Sequence, residues 1–244
     1  LAPNLSLVIG PYLGMFIINR FNFIILFLVC AGLSICAFLF SCKIKTRKAA
    51  GHADVTLKKS PIIDRKMIAP SIPTFLQNAV WGSVMAFFPL YAIQCGISNP
   101  GLFFSTIAIM LITGRAFGAK ILDTYSKEKI IMIIILTSLI AMVMLSFTKT
   151  LPIFILIAIF WGTGGAFLFP ALMTYALRHA GSSDGTAIGT FMAIGHSGTP
   201  LGPMIIGIII PFTGYQIMFL CLAFICLVNI GYFYFILIKK RRTA

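Results

Sequence analysis

The stretch "GHSG", Gly195 to Gly198, holds the side chains of this sequence best suited to proton or nucleophile chemistry. His196 is the only histidine deep within an apolar run, and imidazole is the side chain whose ordinary titration lies close to neutral pH, so it could bind and release a proton. Ser197 beside it could act as a nucleophile, but that requires a base within hydrogen-bond reach. Neighbouring residues on a helix point about 100° apart, which keeps His196 from serving Ser197. A second charged constellation, Arg115 with Asp123, brackets "GRAFGAKILDTYSKEK". Arg115 stands about two helical turns before a basic loop, and its long stem can carry the guanidinium to an interface. Asp123 is placed to pair with it or with a nearby helix N-terminus.

The elements that position these groups follow from solvent. Hydrophobic residues make up 59% of the chain and charged ones 10%, with a mean hydropathy of +1.03, which excludes an ordinary water-soluble domain. A helix that crosses a bilayer needs roughly 20 apolar residues. Eight stretches meet this length, at about 1–18, 22–41, 70–94, 102–122, 130–148, 151–177, 186–210 and 215–238. They are too long and unbroken for barrel strands, so the expected fold class is an all-α polytopic membrane protein of eight transmembrane helices.

Charge sets the orientation. The formal net charge is +14, and of the 19 basic residues all but Arg20 and Lys149 lie at alternate ends of the spans. This positive-inside pattern puts both ends of the chain in the cytoplasm and favours anionic lipid over nucleic acid as the partner of the basic residues. The six cysteines have neither disulfide nor metal-ligand spacing, and no cofactor is expected. The chain opens on Leu1 inside an apolar run without an initiator Met, which leads to the expectation that the sequence begins mid-protein.

Residues 42–69 are polar and basic and read as a cytoplasmic linker. They divide two helices at 1–41 from six at 70–244. Sorted by content, the spans follow a triplet order. Spans two, five and eight are almost uniformly apolar, as lipid-facing helices should be. Spans one, four and seven carry small residues four apart, Gly10 and Gly14, Gly114 and Gly118, Gly198 and Gly202, a spacing that lets backbones approach closely. Spans three and six carry polar and aromatic groups at membrane depth, Gln77, Asn78, Trp81 and Tyr91, then Trp161 and Tyr175. Such groups are expected to line an interior cavity. A longer repeat joins "LVIGPYLG" (Leu7–Gly14) to "TPLGPMIIG" (Thr199–Gly207), aligning Gly10 with Gly202, Pro11 with Pro203 and Asn4 with His196. Pro11 and Pro203 each delete one helical hydrogen bond and kink the span beside close-packing glycines. Asn4 and His196, six residues before the Gly-Pro step, are rotated by about 120° from it and can face the cavity. Internal repeats of this kind mark secondary transporters.

On these residues the chain resembles the major facilitator superfamily, in particular its drug and metabolite exporters that act as proton antiporters. "SLVIGPYLGMF" is similar to the end of that family's fifth-helix antiporter motif, with Gly10, Pro11 and Gly14 matching, while Ser6 and Met15 depart from it. "GRAFGAKILDTYSKEK" is similar to its signature loop between helices eight and nine, with Thr124 in place of a basic residue and Gly118 one place early. The resemblance implies that the eight spans are helices five to twelve, a partial fold with a complete C-terminal six-helix bundle and helices one to four absent. It implies a latch of Arg115, Gly118 and Asp123 at the cytoplasmic side. The function it implies is not enzymatic: proton-coupled efflux of a small, partly apolar molecule by alternating access, in a bacterial plasma membrane, by a monomer when full length. Uptake by a symporter of the same fold is the first alternative. A remote one is intramembrane proteolysis, since "GHSG" matches the Gly-x-Ser-Gly of rhomboid proteases.

Overall fold

The computed structural model describes residues 13–14, 16–17, 20–43, 63–117, 125–180 and 185–243. The chain divides into two compact units, Leu1–Ser60 and Pro61–Ala244. The first contains α1 (Phe23–Lys43). The second contains α2 (Arg65–Gln94), α3 (Gly101–Phe117), α4 (Lys127–Phe147), α5 (Leu151–Ala180) and α6 (Gly185–Thr243). The described residues contain no strand. Asn4, Gly10, Pro11, Gly118 and Asp123 lie outside them.

Four of these helices are long and apolar enough to cross a membrane. Two more depart from that description for local reasons. α2 spans 30 residues but is less apolar, with Gln77, Asn78 and three prolines inside it. α3 has 17 residues, about 26 Å at 1.5 Å per residue. α6 has 59 residues, and a straight helix of that length would measure about 88 Å, nearly three times the hydrocarbon thickness. It is therefore broken at Gly214, whose φ of 76° and ψ of 174° are non-helical, into a first arm before the glycine and a second arm after it. A positive φ of this kind is open to glycine and costly for other residues.

α2 starts at Arg65, so residues 65–69 of the expected linker are helical. The cause is a cap. Asp64, in an extended conformation, accepts a hydrogen bond at 3.0 Å from the Lys66 N–H through Oδ1, satisfying a donor that the first turn leaves orphaned. Its own N–H donates to Thr190 Oγ1 on α6 at 3.0 Å, so the cap also docks the helix. At the other end Gly96, with φ of 81°, ends the helix as its N–H donates to the Ile93 carbonyl at 2.9 Å, the left-handed glycine stop that helices commonly use.

Three prolines, Pro70, Pro73 and Pro89, lie inside α2. Each lacks an N–H and so frees the carbonyl four residues earlier, which in lipid must find another donor. The second arm of α6 supplies this at the first bend: Tyr232 OH donates to the Ala69 carbonyl at 3.2 Å, the one that Pro73 leaves unmatched. Beside it Asn229 Nδ2 donates to the Pro73 carbonyl at 3.1 Å. The proline-bent part of α2 is thus held by side chains of a helix more than 150 positions away.

The first arm of α6 crosses α2 on a stripe of glycines. A Cβ on Gly195 would stand 2.8 Å from Thr74 Cγ2, and one on Gly198 would collide with the Phe75 carbonyl oxygen. A Cβ on Gly202 would stand 2.7 Å from the Ala79 Cα, and the α2 residue Gly82 meets the Thr199 carbonyl in the same way. The Thr199 carbonyl is the one that Pro203 deprives of its helical donor, and Gly82 brings a Cα–H against it, a weak but recurrent contact between close helices. α3 and α5 repeat the design more loosely: a Cβ on Gly114 would stand 2.6 Å from Ala166 Cβ, and one on Gly162 3.1 Å from the Ile107 Cα. The expected close packing at Gly114, Gly198 and Gly202 is therefore formed. Gly14 has no described atom within 4 Å of where its Cβ would stand.

Aromatic rings close the far end of the unit. Phe88 of α2 stacks on Phe103 of α3 at 3.8 Å and meets Phe154 of α5 edge-on at 5.1 Å, while Tyr91 meets Phe219 of α6 at 5.1 Å. Large apolar side chains remain exposed along α4 (Ile133, Leu136, Ile140) and the second arm of α6 (Leu220, Phe224, Leu227). Lipid is the solvent such faces require.

If backbone contact on glycine sets the α2–α6 crossing, Gly202→Ala should destabilise the full-length protein by about 1–3 kcal/mol, the usual cost of overpacking. Gly189→Ala is the internal control, because nothing lies within 4 Å of that site and alanine there should be neutral or slightly stabilising. Thermal unfolding of the purified variants in detergent checks the pair, and equal stability would refute the crossing.

Candidate functional site

The residues expected to line a cavity separate into two sets. Gln77, Tyr91, Trp161 and Tyr175 are buried inside the second unit, away from the surface around His196. Hydrogen bonds tie three of them to neighbouring helices and connections. Gln77 Nε2 donates to Ser138 Oγ of α4 at 2.7 Å, and Trp161 Nε1 of α5 donates to the same oxygen at 3.2 Å. Ser138 passes its own proton to the Ile134 carbonyl at 3.1 Å. One hydroxyl thus ties three helices at membrane depth, using both acceptor sites and its single donor. Tyr91 OH donates to the Thr148 carbonyl at 2.7 Å, and the Tyr175 ring packs against Phe233 at 5.2 Å.

The second set lies where α2, α5 and the first arm of α6 meet, and it remains accessible. Asn78 is half-buried and donates through Nδ2 to the Gly195 carbonyl at 2.8 Å. His196, the next residue on α6, is exposed, with its ring 5.9 Å from that of Phe169 on α5. Trp81 is half-buried and tilted against Trp161 at 5.2 Å. His196 points away from the glycine stripe because it is two residues, about 200°, from Gly198. On its face of α6 stand Gly189, Ala193, Pro200 and Met204, all exposed. Asn78, Trp81, Phe169 and His196 form a surface of one amide, one imidazole and two aromatic rings, with no acidic residue. Such a surface can hydrogen-bond and stack on an apolar or weakly polar molecule.

The geometry does not assemble a nucleophile. Ser197 Oγ donates to the Ile194 carbonyl of its own helix at 2.7 Å, while the His196 ring is turned to Phe169. Arg115 is exposed in the last turn of α3, the position expected for an interfacial cation; its expected partner Asp123 is not among the described residues. Gly202 and Pro203 sit at the α2–α6 crossing. Among the described residues no group of three or more His, Cys, Asp or Glu could hold a metal ion.

Ser138, Asn229 and Tyr232 escaped sequence reasoning. Each is one of a few polar residues in a mostly apolar span, and nothing in the spacing says which distant carbonyl or amide it will meet. The only signal was that polar groups at such depth need partners.

A unit of close-packed, proline-bent apolar helices is that of a multi-pass helical membrane protein. The chain belongs to the major facilitator superfamily: the model of that family matches residues 2–199. It is similar to the multidrug resistance protein MdtG of a Rahnella strain, 26% identical over 179 residues, covering 69% of this chain and 43% of that protein. It is also similar to the staphylopine export protein of Staphylococcus aureus, 24% identical over 243 residues, with 93% and 60% covered. MdtG of Salmonella choleraesuis is 26% identical over 172 residues, with 66% and 43% covered. The chain thus spans between 43% and 60% of the length of these relatives.

The Ser138 hub gives a stability test. Ser138→Ala leaves Gln77 and Trp161 buried without their shared acceptor, at a cost of about 1–3 kcal/mol per orphaned group in a dry core; an interhelical hydrogen bond in a membrane protein averages only about 0.6 kcal/mol. The variant should therefore lose more than that average. Adding Gln77→Leu should restore part of the loss, and strictly additive effects in the double variant would dissolve the hub.

Proposed function

We propose that the full-length protein is a secondary transporter that exports a small, partly apolar molecule by alternating access, with protons as the coupling ion. The observation that carries this reading is the contrast between the two faces of the first arm of α6. One is locked to α2 through glycines and carbonyls, and the other carries His196 beside Phe169 and Asn78 on an accessible surface. A rigid seam with an open, weakly polar face suits a bundle that moves as one body and presents that face to a second bundle. The similarity to the staphylopine export protein supports the direction, and the clustering of basic residues at alternate span ends supports eight spans with both ends of this chain in the cytoplasm. The six spans after the linker form one bundle in this reading and the first two belong to another. Gly10, Pro11 and Gly14 would repeat the kinked contact of Gly202 and Pro203 in that other bundle, with Asn4 in the repeat position of His196. Arg115, Gly118 and Asp123 act as the cytoplasmic latch.

His196 takes the coupling or tuning role. Imidazole is the side chain that gains and loses a proton between about pH 5 and 8, so a proton carried there would make the affinity depend on pH. Everted membrane vesicles containing the full-length protein should accumulate a lipophilic dye when a proton gradient is imposed. The apparent affinity should vary across that pH interval in the wild type and be flat in His196→Gln. Identical pH profiles would remove His196 from coupling, and the absence of any gradient-driven dye movement would remove the export reading itself.

A further inference from the structure

At the end of the second unit opposite the Asp64 cap, a cavity of about 310 Å³ opens between the last turn of α2, the α4–α5 connection and the break in α6. Its wall includes Tyr91, Gln94, Lys149, Thr213, Tyr215 and Gln216. None of these belongs to the surface around His196. The three segments are fastened to one another: Tyr91 OH donates to the Thr148 carbonyl at 2.7 Å, and Ser146 Oγ to the Gln216 carbonyl at 2.9 Å. The non-helical Gly214 turns the chain around the rim.

The chemistry of the wall is one-sided. The hydroxyl protons of Tyr91 and Thr213 are spent on the carbonyls of Thr148 and Ile209. Lys149, Gln94, Gln216 and Tyr215 line the same space, and their ammonium, amide and hydroxyl groups can all donate. Neither of the described acidic residues, Asp64 at the cap of α2 and Glu128 in the first turn of α4, is part of this wall. Lys149 is also one of only two basic residues outside the cytoplasmic sets, a lysine that the positive-inside pattern does not account for.

We infer that this cavity binds a phosphate ester, with the Lys149 ammonium as point charge and Gln94, Gln216 and Tyr215 as neutral donors around the oxygens. Its volume lies at the lower limit of small-molecule sites, enough for a glycerol phosphate group and little more. That group could come from a soluble ester or from the headgroup of a phospholipid in the adjoining leaflet.

Two probes applied to the purified full-length protein separate these sources. Soluble sn-glycerol 3-phosphate is titrated calorimetrically at low salt, and phosphatidylglycerol retained in phosphatidylcholine nanodiscs is counted by native mass spectrometry. Binding of at least one probe should fall about tenfold or more in Lys149→Glu, and severalfold in Gln94→Ala with Gln216→Ala, a charge-neutral pair. Arg178→Gln, a charge change at the opposite end, should leave it unaltered. A response confined to the lipid assigns the site to a headgroup, and one to the soluble ester assigns it to a solute; either supports the site. The inference is overturned if neither probe binds, if Lys149→Glu leaves both unchanged, or if Arg178→Gln lowers binding equally.

Discussion

Lipid offers no hydrogen bonds, so every carbonyl released by a proline in a spanning helix must be met by another part of the protein. The architecture of the second unit depends on how α2 and α6 meet this demand. Both carry several prolines inside the helix, and each helps to meet the carbonyls the other leaves free. Tyr232 answers the carbonyl freed by Pro73, and Gly82 closes on the carbonyl freed by Pro203. With glycines at the crossing the two backbones touch directly, and no flexible side chain cushions the contact. A bend that would weaken an isolated helix becomes a fixed shape that two helices hold together.

The other helices take their places from this pair. α5 and α4 reach α2 through Ser138, and α3 reaches α5 through the Gly114–Ala166 contact. The apolar sides of α4 and the second arm of α6 are left for lipid. Because the first arm of α6 turns its glycines to α2, residues some 200° away on the helix, His196 above all, are kept out of the packed interior. The open face is therefore a consequence of the seam. A transporter of this superfamily needs both, a body stiff enough to move as a unit and a face where a solute can rest.

Much of this was legible in the sequence, and the reason differs by residue. The glycine pairs at Gly198 and Gly202 announced backbone contact because few other side chains permit it. The uniform apolarity of α4 announced lipid, and the basic residues marked alternate helix ends. The inward turn of Gln77 and Trp161 was not legible, since a polar group at membrane depth satisfies the same rule by facing a cavity or a buried serine. Ser138 decides between them, and a serine in an isoleucine-rich span carries no sign of its partners. The start of α2 was missed for a local reason: Arg65 and Lys66 read as linker by charge, while the Asp64 cap makes them the first turn.

The central claim is that the face bearing His196 lines an aqueous path and not the lipid boundary. In a full-length protein with its native cysteines replaced, His196→Cys and Ile133→Cys can be reacted with a membrane-impermeant, water-soluble thiol reagent in intact vesicles. The account predicts rapid labelling at position 196, slowed by a transported molecule, and negligible labelling at position 133 on the lipid-facing side of α4. A cysteine at 196 as inert as the one at 133 would contradict it.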